Sequence, residues 1–308
     1  MRLERPAEVA RAEVARIVAC AVLFAGCSDG SDGGSSQGPP PETDWETLLT
    51  GDWTVPAGTE AYVCARQTLT EDILVSTFEA INPPGTHHTL LTIGDSGAPD
   101  GVTPCNAAEN NPLSVFGSGV GTNRIEFPEG VAMKIEAGQQ LLLNLHLFNT
   151  STSDISGTSG TRIRRMSEAD VTHLAEGVLA GTIELDIPAN REVTSTGLCA
   201  MSHDVTLFAV APHMHQLGVH MKIVAEPAGE SEIVLHDAPY DFDAQLYYPI
   251  DPLPLRQDDR VRIECTHRNS TSASVGFGDS SLAEMCFAGL YRYPANGSTF
   301  YCVPPAAP

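Results

Sequence analysis

A chain of 308 residues is long enough for two domains of ordinary size, each burying its own core. A formal net charge of −22, with only 17 Lys and Arg and no basic patch, argues against nucleic acid as a partner and fits a solvated, exported surface. Hydrophobic content of 42% is that of a folded protein, and 27 glycines and 22 prolines without helical periodicity beyond the N-terminus point to many short strands joined by turns.

The chain opens with Arg2, Arg5, Arg11 and Arg16 ahead of the apolar run Ile17 to Gly26, which is too short to span a membrane and ends in small residues before Cys27. Residues 1–26 therefore read as an export signal. Leu23-Phe24-Ala25-Gly26-Cys27 resembles a bacterial lipobox, which makes Cys27 the lipidated first residue; the alternative is an ordinary signal peptide cut near Ala25. Ser28 to Pro41 is a Gly/Ser/Asp/Pro tether of the kind that follows a lipid anchor, so residues 27–50 read as anchor and flexible linker. The expectation is an exported protein of the cell envelope, held to a membrane at the periplasm or outer-membrane surface.

From Trp53 to about Met166 the strand-like runs are Ala61 to Ala65, Ile73 to Ile81, Thr89 to Ile93, Val131 to Ile135 and Gln140 to Phe148, separated by turn clusters such as Asn82-Pro83-Pro84-Gly85. Residues 94–123 read as loop, Ser151 to Gly160 as a polar turn, and Ser167 to Glu176 as a short helix with Ser167 at its N-cap. The second half repeats the β pattern in Gly181 to Ile187, Val205 to Pro212, Met221 to Glu226, Asp243 to Tyr248, Arg260 to Cys265 and Met285 to Tyr291. Leu142 to Ser151 is echoed by Arg262 to Thr271: each is an apolar strand ending in a histidine, then an Asn-(Thr/Ser) turn. Leaving out Cys20 and Cys27, the cysteines are Cys64, Cys105, Cys199, Cys265, Cys286 and Cys302. An even set in an exported chain suggests three disulfides, whose pairing the count alone cannot assign, and none has CxxC spacing. Their segregation sets a boundary near residue 175, giving domains over 51–175 and 176–303.

His213-Met214-His215, with Met285-Cys286 further on, is the most informative pattern. Histidines at i and i+2 on a strand share a face and can hold one metal ion. A methionine thioether as third donor is soft and selects copper, Cu(I) above all, over zinc, calcium or magnesium. The first half carries His87-His88 just after a proline-glycine turn, and His146 near the end of an apolar strand. Neighbours on a regular strand face opposite sides, so both reach one metal only if the backbone bends there or the rings use different nitrogens. Three imidazoles suit a copper that changes oxidation state while keeping its ligands. Singly, His88 or His146 is more often a hydrogen-bonded core residue, and Met285 core packing. His173, His203, His220, His236 and His267 read as structural or surface residues.

The segments His87-His88-Thr89-Leu90-Leu91, Asn144-Leu145-His146, Pro212-His213-Met214-His215-Gln216-Leu217-Gly218 and Glu284-Met285-Cys286 resemble, in order, spacing and residue type, the copper type II, ascorbate-dependent monooxygenases, over roughly residues 50–302. That family includes the peptidylglycine α-hydroxylating and dopamine β-monooxygenases. The resemblance implies an all-β protein: two tandem antiparallel jelly-roll β-sandwich domains, each presenting one copper across a solvent-filled interdomain cleft. It implies His87, His88 and His146 as ligands of an electron-transfer copper, and His213, His215 and Met285 as ligands of an oxygen-activating copper. It also implies the disulfides Cys64–Cys105, Cys199–Cys302 and Cys265–Cys286, the last beside Met285. A further disulfide of the animal enzymes has no counterpart here, so residues 94–123 are expected to be arranged differently.

The implied activity is hydroxylation of an activated C–H bond in a small molecule, with O2 and a one-electron reductant such as ascorbate. Two departures bear on substrate. Where the peptide-amidating enzymes carry an arginine before the His-x-His pair, this chain has Ala211; where an asparagine follows their Met-Cys pair, it has Phe287. As substrate-pocket residues, both remove polar partners that a peptide carboxylate needs. Two rivals stand beside this reading. A non-catalytic surface copper-binding protein of the same fold would not couple O2 consumption to a reductant, and a β-sandwich adhesion or carbohydrate-binding module with incidental histidines would purify without metal.

Overall fold

Gln139–Phe148 shows how this chain builds its strands. Its Leu-rich sequence is buried on both faces along most of its length, as a strand flanked on both sides must be. It pairs antiparallel with Glu60–Thr68 on one side and with Thr86–Asp95 on the other. Gly101–Pro104 and Leu113–Gly119 complete this five-stranded sheet. The computed structural model describes residues 44–303 except 96, 122–123, 279, 281 and 298–300. The expected export signal over 1–26, the lipidated Cys27 and the tether to residue 43 lie outside the described residues.

The largest sheet runs in the order Glu46–Val55, Ile155–Arg165, Ile73–Ile81, Val131–Ile135, His173–Thr182, Cys286–Tyr293, Val205–His213 and Tyr248–Leu255. Ile125–Glu126 adds to Ile73–Ile81, and Tyr301–Cys302 adds parallel to His173–Thr182. A four-stranded sheet has the order Arg191–Ala200, Arg260–Asn269, Gly218–Glu226 and Ile233–Pro239, and Asp186–Ile187 pairs with Val275–Gly276. The protein is thus all-β, with β-sandwich layering. One core packs Trp53, Phe78 and Ile163 of the large sheet against Leu91, Leu143 and Leu145 of the five-stranded sheet. The other packs Val178, Leu207 and Leu290 against Met221, Ile223 and Ile263 of the four-stranded sheet. The first core also takes in Phe208, Tyr247 and Tyr291 from the second half.

Both cores belong to one compact unit. The large sheet crosses from one half to the other where Val131, Ala132 and Met133 pair parallel with His173, Leu174 and Ala175. Three disulfides pin the layers: Cys64–Cys105, Cys199–Cys302 and Cys265–Cys286.

Three sequence expectations are corrected. The helix expected over Ser167 to Glu176 is only a 3-10 turn, Glu168–Asp170, and Ser167 makes no capping bond to the backbone. Its tail is recruited instead into the strand His173–Thr182 by pairing with Val131 to Met133, a tertiary override of a marginal local preference. The strand expected over Asp243 to Tyr248 is irregular up to Tyr247, and the strand that follows, Tyr248–Leu255, contains Pro249, Pro252 and Pro254. Prolines fit there because this strand is the edge of the large sheet, with one side free of ladder bonds. The loop expected over 94–123 contains the strands Gly101–Pro104 and Leu113–Gly119.

Candidate metal centres

His87 and His88 lie at the start of Thr86–Asp95, where the register against Gln139–Phe148 shifts between Thr86 and His88. An extra residue at such a bulge re-aims a side chain, and both rings come to the side where His146, paired with His88, also stands. Ring centroids are 4.1 Å apart for His87–His88, 5.1 Å for His87–His146 and 6.0 Å for His88–His146. One nitrogen of each ring lies within 4.8 Å of the others. Tyr62 stacks on His146 at 4.5 Å.

The outer nitrogens of these rings are occupied. Nε2 of His87 is 2.8 Å from Asp243 Oδ1, Nε2 of His146 is 3.3 Å from Glu60 Oε2, and Nε2 of His88 is 3.2 Å from the Phe242 carbonyl. Carboxylates and carbonyls only accept, so each Nε2 carries the proton when it makes this bond, and Nδ1 keeps its lone pair. The Nδ1 atoms of His87 and His88 are then 3.0 Å apart. Two lone pairs at that distance repel unless a cation or a shared proton lies between them, so this donor set fits a metal ion. Burial and the neighbouring His87 push His88 down to about 3, and burial lowers His146 as well, so these rings are neutral as a metal requires.

The second set sits where Val205–His213 ends beside Cys286–Tyr293. His213 pairs with Phe287, the last pair of that ladder, and Met285 stands just before the first residue of Cys286–Tyr293. The His213 and His215 rings are 5.4 Å apart and nearly perpendicular. Here it is Nδ1 that is spent: His213 Nδ1 on Gln245 Oε1 at 2.8 Å and His215 Nδ1 on the Ala283 carbonyl at 3.0 Å. Nε2 keeps the lone pair in both. Burial, then the nearby His215, push His213 down to about 4.

Two residues behind this set escaped the sequence reading. Glu284 is fully buried, and its carboxylate accepts from the backbone N–H of His215 (3.0 Å), Leu217 (2.6 Å) and Met285 (3.3 Å). His267, also fully buried, sets Nε2 3.4 Å from Glu284 and 3.2 Å from the Met285 carbonyl, while its Nδ1 has no partner. Burial pushes the Glu284 carboxyl up, but His267 and the N–H donors outweigh it and hold the group below the usual range. The signal for Glu284 was its place directly before Met285. The signal for His267 was the internal echo, in which His267 falls opposite Leu147, a fully buried core position, and His146 falls opposite Thr266. One residue along a strand exchanges the faces.

Where a solvent-filled cleft was expected, the segment 240–247 lies across both histidine sets. The Tyr240 hydroxyl bonds the Met214 carbonyl at 2.6 Å and the Met214 N–H at 3.0 Å. The Tyr247 hydroxyl bonds the Gly117 N–H at 2.8 Å and carbonyl at 2.9 Å. Between these anchors the Phe242 ring stands 4.7 Å from His88 and 6.3 Å from His215. Of the substrate-pocket residues, Ala211 lies over Gly289, its strand partner, and Phe287 is fully buried beside the rings of Phe277 and Tyr301. The other histidines have local partners: His173 stacks on Tyr293, His203 bonds the Pro294 carbonyl, His220 pairs with Asp237, and His236 rests on Tyr248.

A β-sandwich protein that gathers three imidazoles with one nitrogen each within 4.8 Å of the others carries a donor set that could hold one metal ion. Residues 173–307 match the family model described as the copper type II ascorbate-dependent monooxygenase, C-terminal domain. The matched segment carries His213, His215, Met285, Glu284 and Gln245. No curated protein matches the chain.

Proposed function

We propose that the protein is a copper-dependent monooxygenase that hydroxylates an activated C–H bond of a small molecule, using O2 and a one-electron reductant such as ascorbate. The observation that carries this reading is the division of ring nitrogens: His87, His88 and His146 offer Nδ1, while His213 and His215 offer Nε2 next to Met285. Two unlike donor sets suit two tasks, which storage alone does not need. Copper bound there would supply electron storage at the all-histidine set and O2 reduction at the set with Met285. The chain's own part is to keep the five imidazoles aimed, with His88, His146 and His213 held neutral by burial. Asp243, Glu60 and the Phe242 carbonyl fix the first set; Gln245, the Ala283 carbonyl and Glu284 fix the second.

At the substrate positions neither Ala211 nor Phe287 has a polar group to offer a carboxylate, so small apolar or aromatic molecules with a benzylic or otherwise weakened C–H bond fit better than glycine-extended peptides. The missing charge-assisted bond alone is worth ~1.5–3 kcal/mol. We also place the protein in the cell envelope, anchored through Cys27; the three disulfides suit an oxidising compartment.

Copper-loaded protein given ascorbate and labelled O2 should consume O2 and place one labelled atom in an organic product. If it binds two coppers but consumes no O2 beyond the rate of free copper, the non-catalytic copper-binding reading takes its place. A glycine-extended peptide turned over better than small aromatic substrates would overturn the substrate reading alone. The Cys27→Ser exchange should abolish metabolic labelling with a fatty acid; persistence of the label would refute the anchor.

A further inference from the structure

We infer that Trp53, Ser159 and Thr86 form a buried polar tie that fixes the bulge carrying His87 and His88, and that these positioning residues set how tightly the first centre holds copper. This rests on the copper reading above, because it takes His87 and His88 as ligands. The tie crosses a core built mainly of Leu, Ile, Val and Phe. Trp53 Nε1 donates to Ser159 Oγ at 2.7 Å, and Ser159 Oγ lies 2.6 Å from Thr86 Oγ1. All three side chains are buried. Trp53 and Ser159 stand on Glu46–Val55 and Ile155–Arg165 of the large sheet, whereas Thr86 opens Thr86–Asp95 of the five-stranded sheet. The two layers are thus joined at one point, and that point is the last register position before the bulge. Thr86 pairs with Leu147 and His88 with His146, which leaves His87 as the extra residue.

Trp53 has little room to shift. Its ring lies against Gly157 of the neighbouring strand, where a Cβ would stand 2.5 Å from the indole, and against Gly85, where a Cβ would stand 2.8 Å from it. Gly85 has φ +103°, a conformation that side chains disfavour, and its carbonyl accepts from the Phe148 N–H at 2.9 Å. The indole fills the slot between these glycines with its N–H aimed at Ser159. An indole nitrogen only donates, and burying it without an acceptor is costly, so the ring, Ser159 and Thr86 hold one another in one arrangement. Apolar residues of the same shape would fill this core as well; what the hydroxyls add is direction. Direction matters here because the extra residue of a bulge is left out of the ladder. His87 is therefore placed by what holds its neighbours, the ladder at His88 and the tie at Thr86.

Three exchanges test this on the mature chain. Thr86→Val keeps the shape and removes the hydroxyl, Thr86→Ser keeps the hydroxyl, and Ser159→Ala breaks the tie from its other end. In a two-site Cu(I) competition titration, Thr86→Val and Ser159→Ala should weaken the first set ~10–100-fold, the usual effect of losing a residue that orients a metal ligand. The second set should bind as before, and Thr86→Ser should stay close to the unmodified protein. In the metal-free protein, the Phe148 amide should exchange with deuterium faster in Thr86→Val and Ser159→Ala, while amides deeper in Gln139–Phe148 keep their protection. A lowered melting temperature with unchanged copper at the first set would overturn the inference, because the tie would then only stabilise the core. Equal weakening of both sets, the mark of general loosening, would overturn it too. These failures differ from failure of the copper reading, in which the unmodified chain itself would hold no copper at His87, His88 and His146.

Discussion

A carboxylate shut away from water has to be surrounded by donors, and Glu284 collects them from the backbone of the segment that bears His215 and Met285. Replacing it with alanine leaves those N–H groups without an acceptor, at ~1–3 kcal/mol for each that stays buried, and frees the segment to move. We expect Glu284→Ala to weaken Cu(I) at the second set while the first set binds as before. Glu284→Gln, which keeps one acceptor oxygen, should fall between. A two-site Cu(I) competition titration reads this, and equal weakening of both sites would refute the clamp. Met285→Ile should remove copper–sulfur scattering from the X-ray absorption spectrum of the Cu(I) protein with the first set still filled; an unchanged signal refutes Met285 as a ligand. The depressed values of His88 and His213 carry a sign. Rings held neutral in the fold take up protons more readily when unfolded, so the metal-free protein keeps this stability above the ordinary histidine value of 6.5 and loses it as pH falls toward about 4 and about 3. The slope is at most about 1.4 kcal/mol per pH unit for each such proton. Denaturation midpoints measured from pH 7 to pH 4 should fall, and His213→Gln should flatten the curve.

At the scale of strands, the Cys265–Cys286 bond joins Arg260–Asn269 to the first residue of Cys286–Tyr293, one position from Met285. Replacing both cysteines with alanine should cost ~2–5 kcal/mol and lower copper at the second set before the first. Thiol titration of the denatured, unreduced protein should find no free thiol among the six cysteines after Cys27; two or more would refute the pairing. The histidines and the Met285 position could be read from the sequence because their chemistry is written in residue type and spacing. The bulge that brings His87 to the side of His88 could be anticipated only as a requirement, since an unpaired residue leaves no mark in composition. The segment 240–247 was misread because the run from Asp243 to Tyr248 alternates like a strand, while the true strand after it is interrupted by proline. Its partners, Met214, Gly117, His88 and His213, are far away in sequence, so no local pattern could have disclosed its task.

Over the whole molecule, the purified mature chain should bind two copper ions, and one ion only would remove the basis for two tasks. The parallel pairing of Val131 to Met133 with His173 to Ala175 makes the boundary between the halves a hydrogen-bonded seam rather than a hinge. Tyr291 reinforces it through a 3.1 Å bond to the Val115 carbonyl. The half that matches the family model is accordingly not a portable module. Cut out as residues 173–308, it would present His173 to Ala175 as an unpaired stretch of sheet edge, together with the rings of Phe208, Tyr247 and Tyr291 that now lie in the neighbouring core. Such an edge invites pairing with another copy. The fragment should therefore run as oligomers or aggregates in size-exclusion chromatography, whereas a well-behaved monomer would show that the seam contributes little. A foreign partner put in place of either half would have to supply a matching strand at this seam, so the two halves are not interchangeable parts.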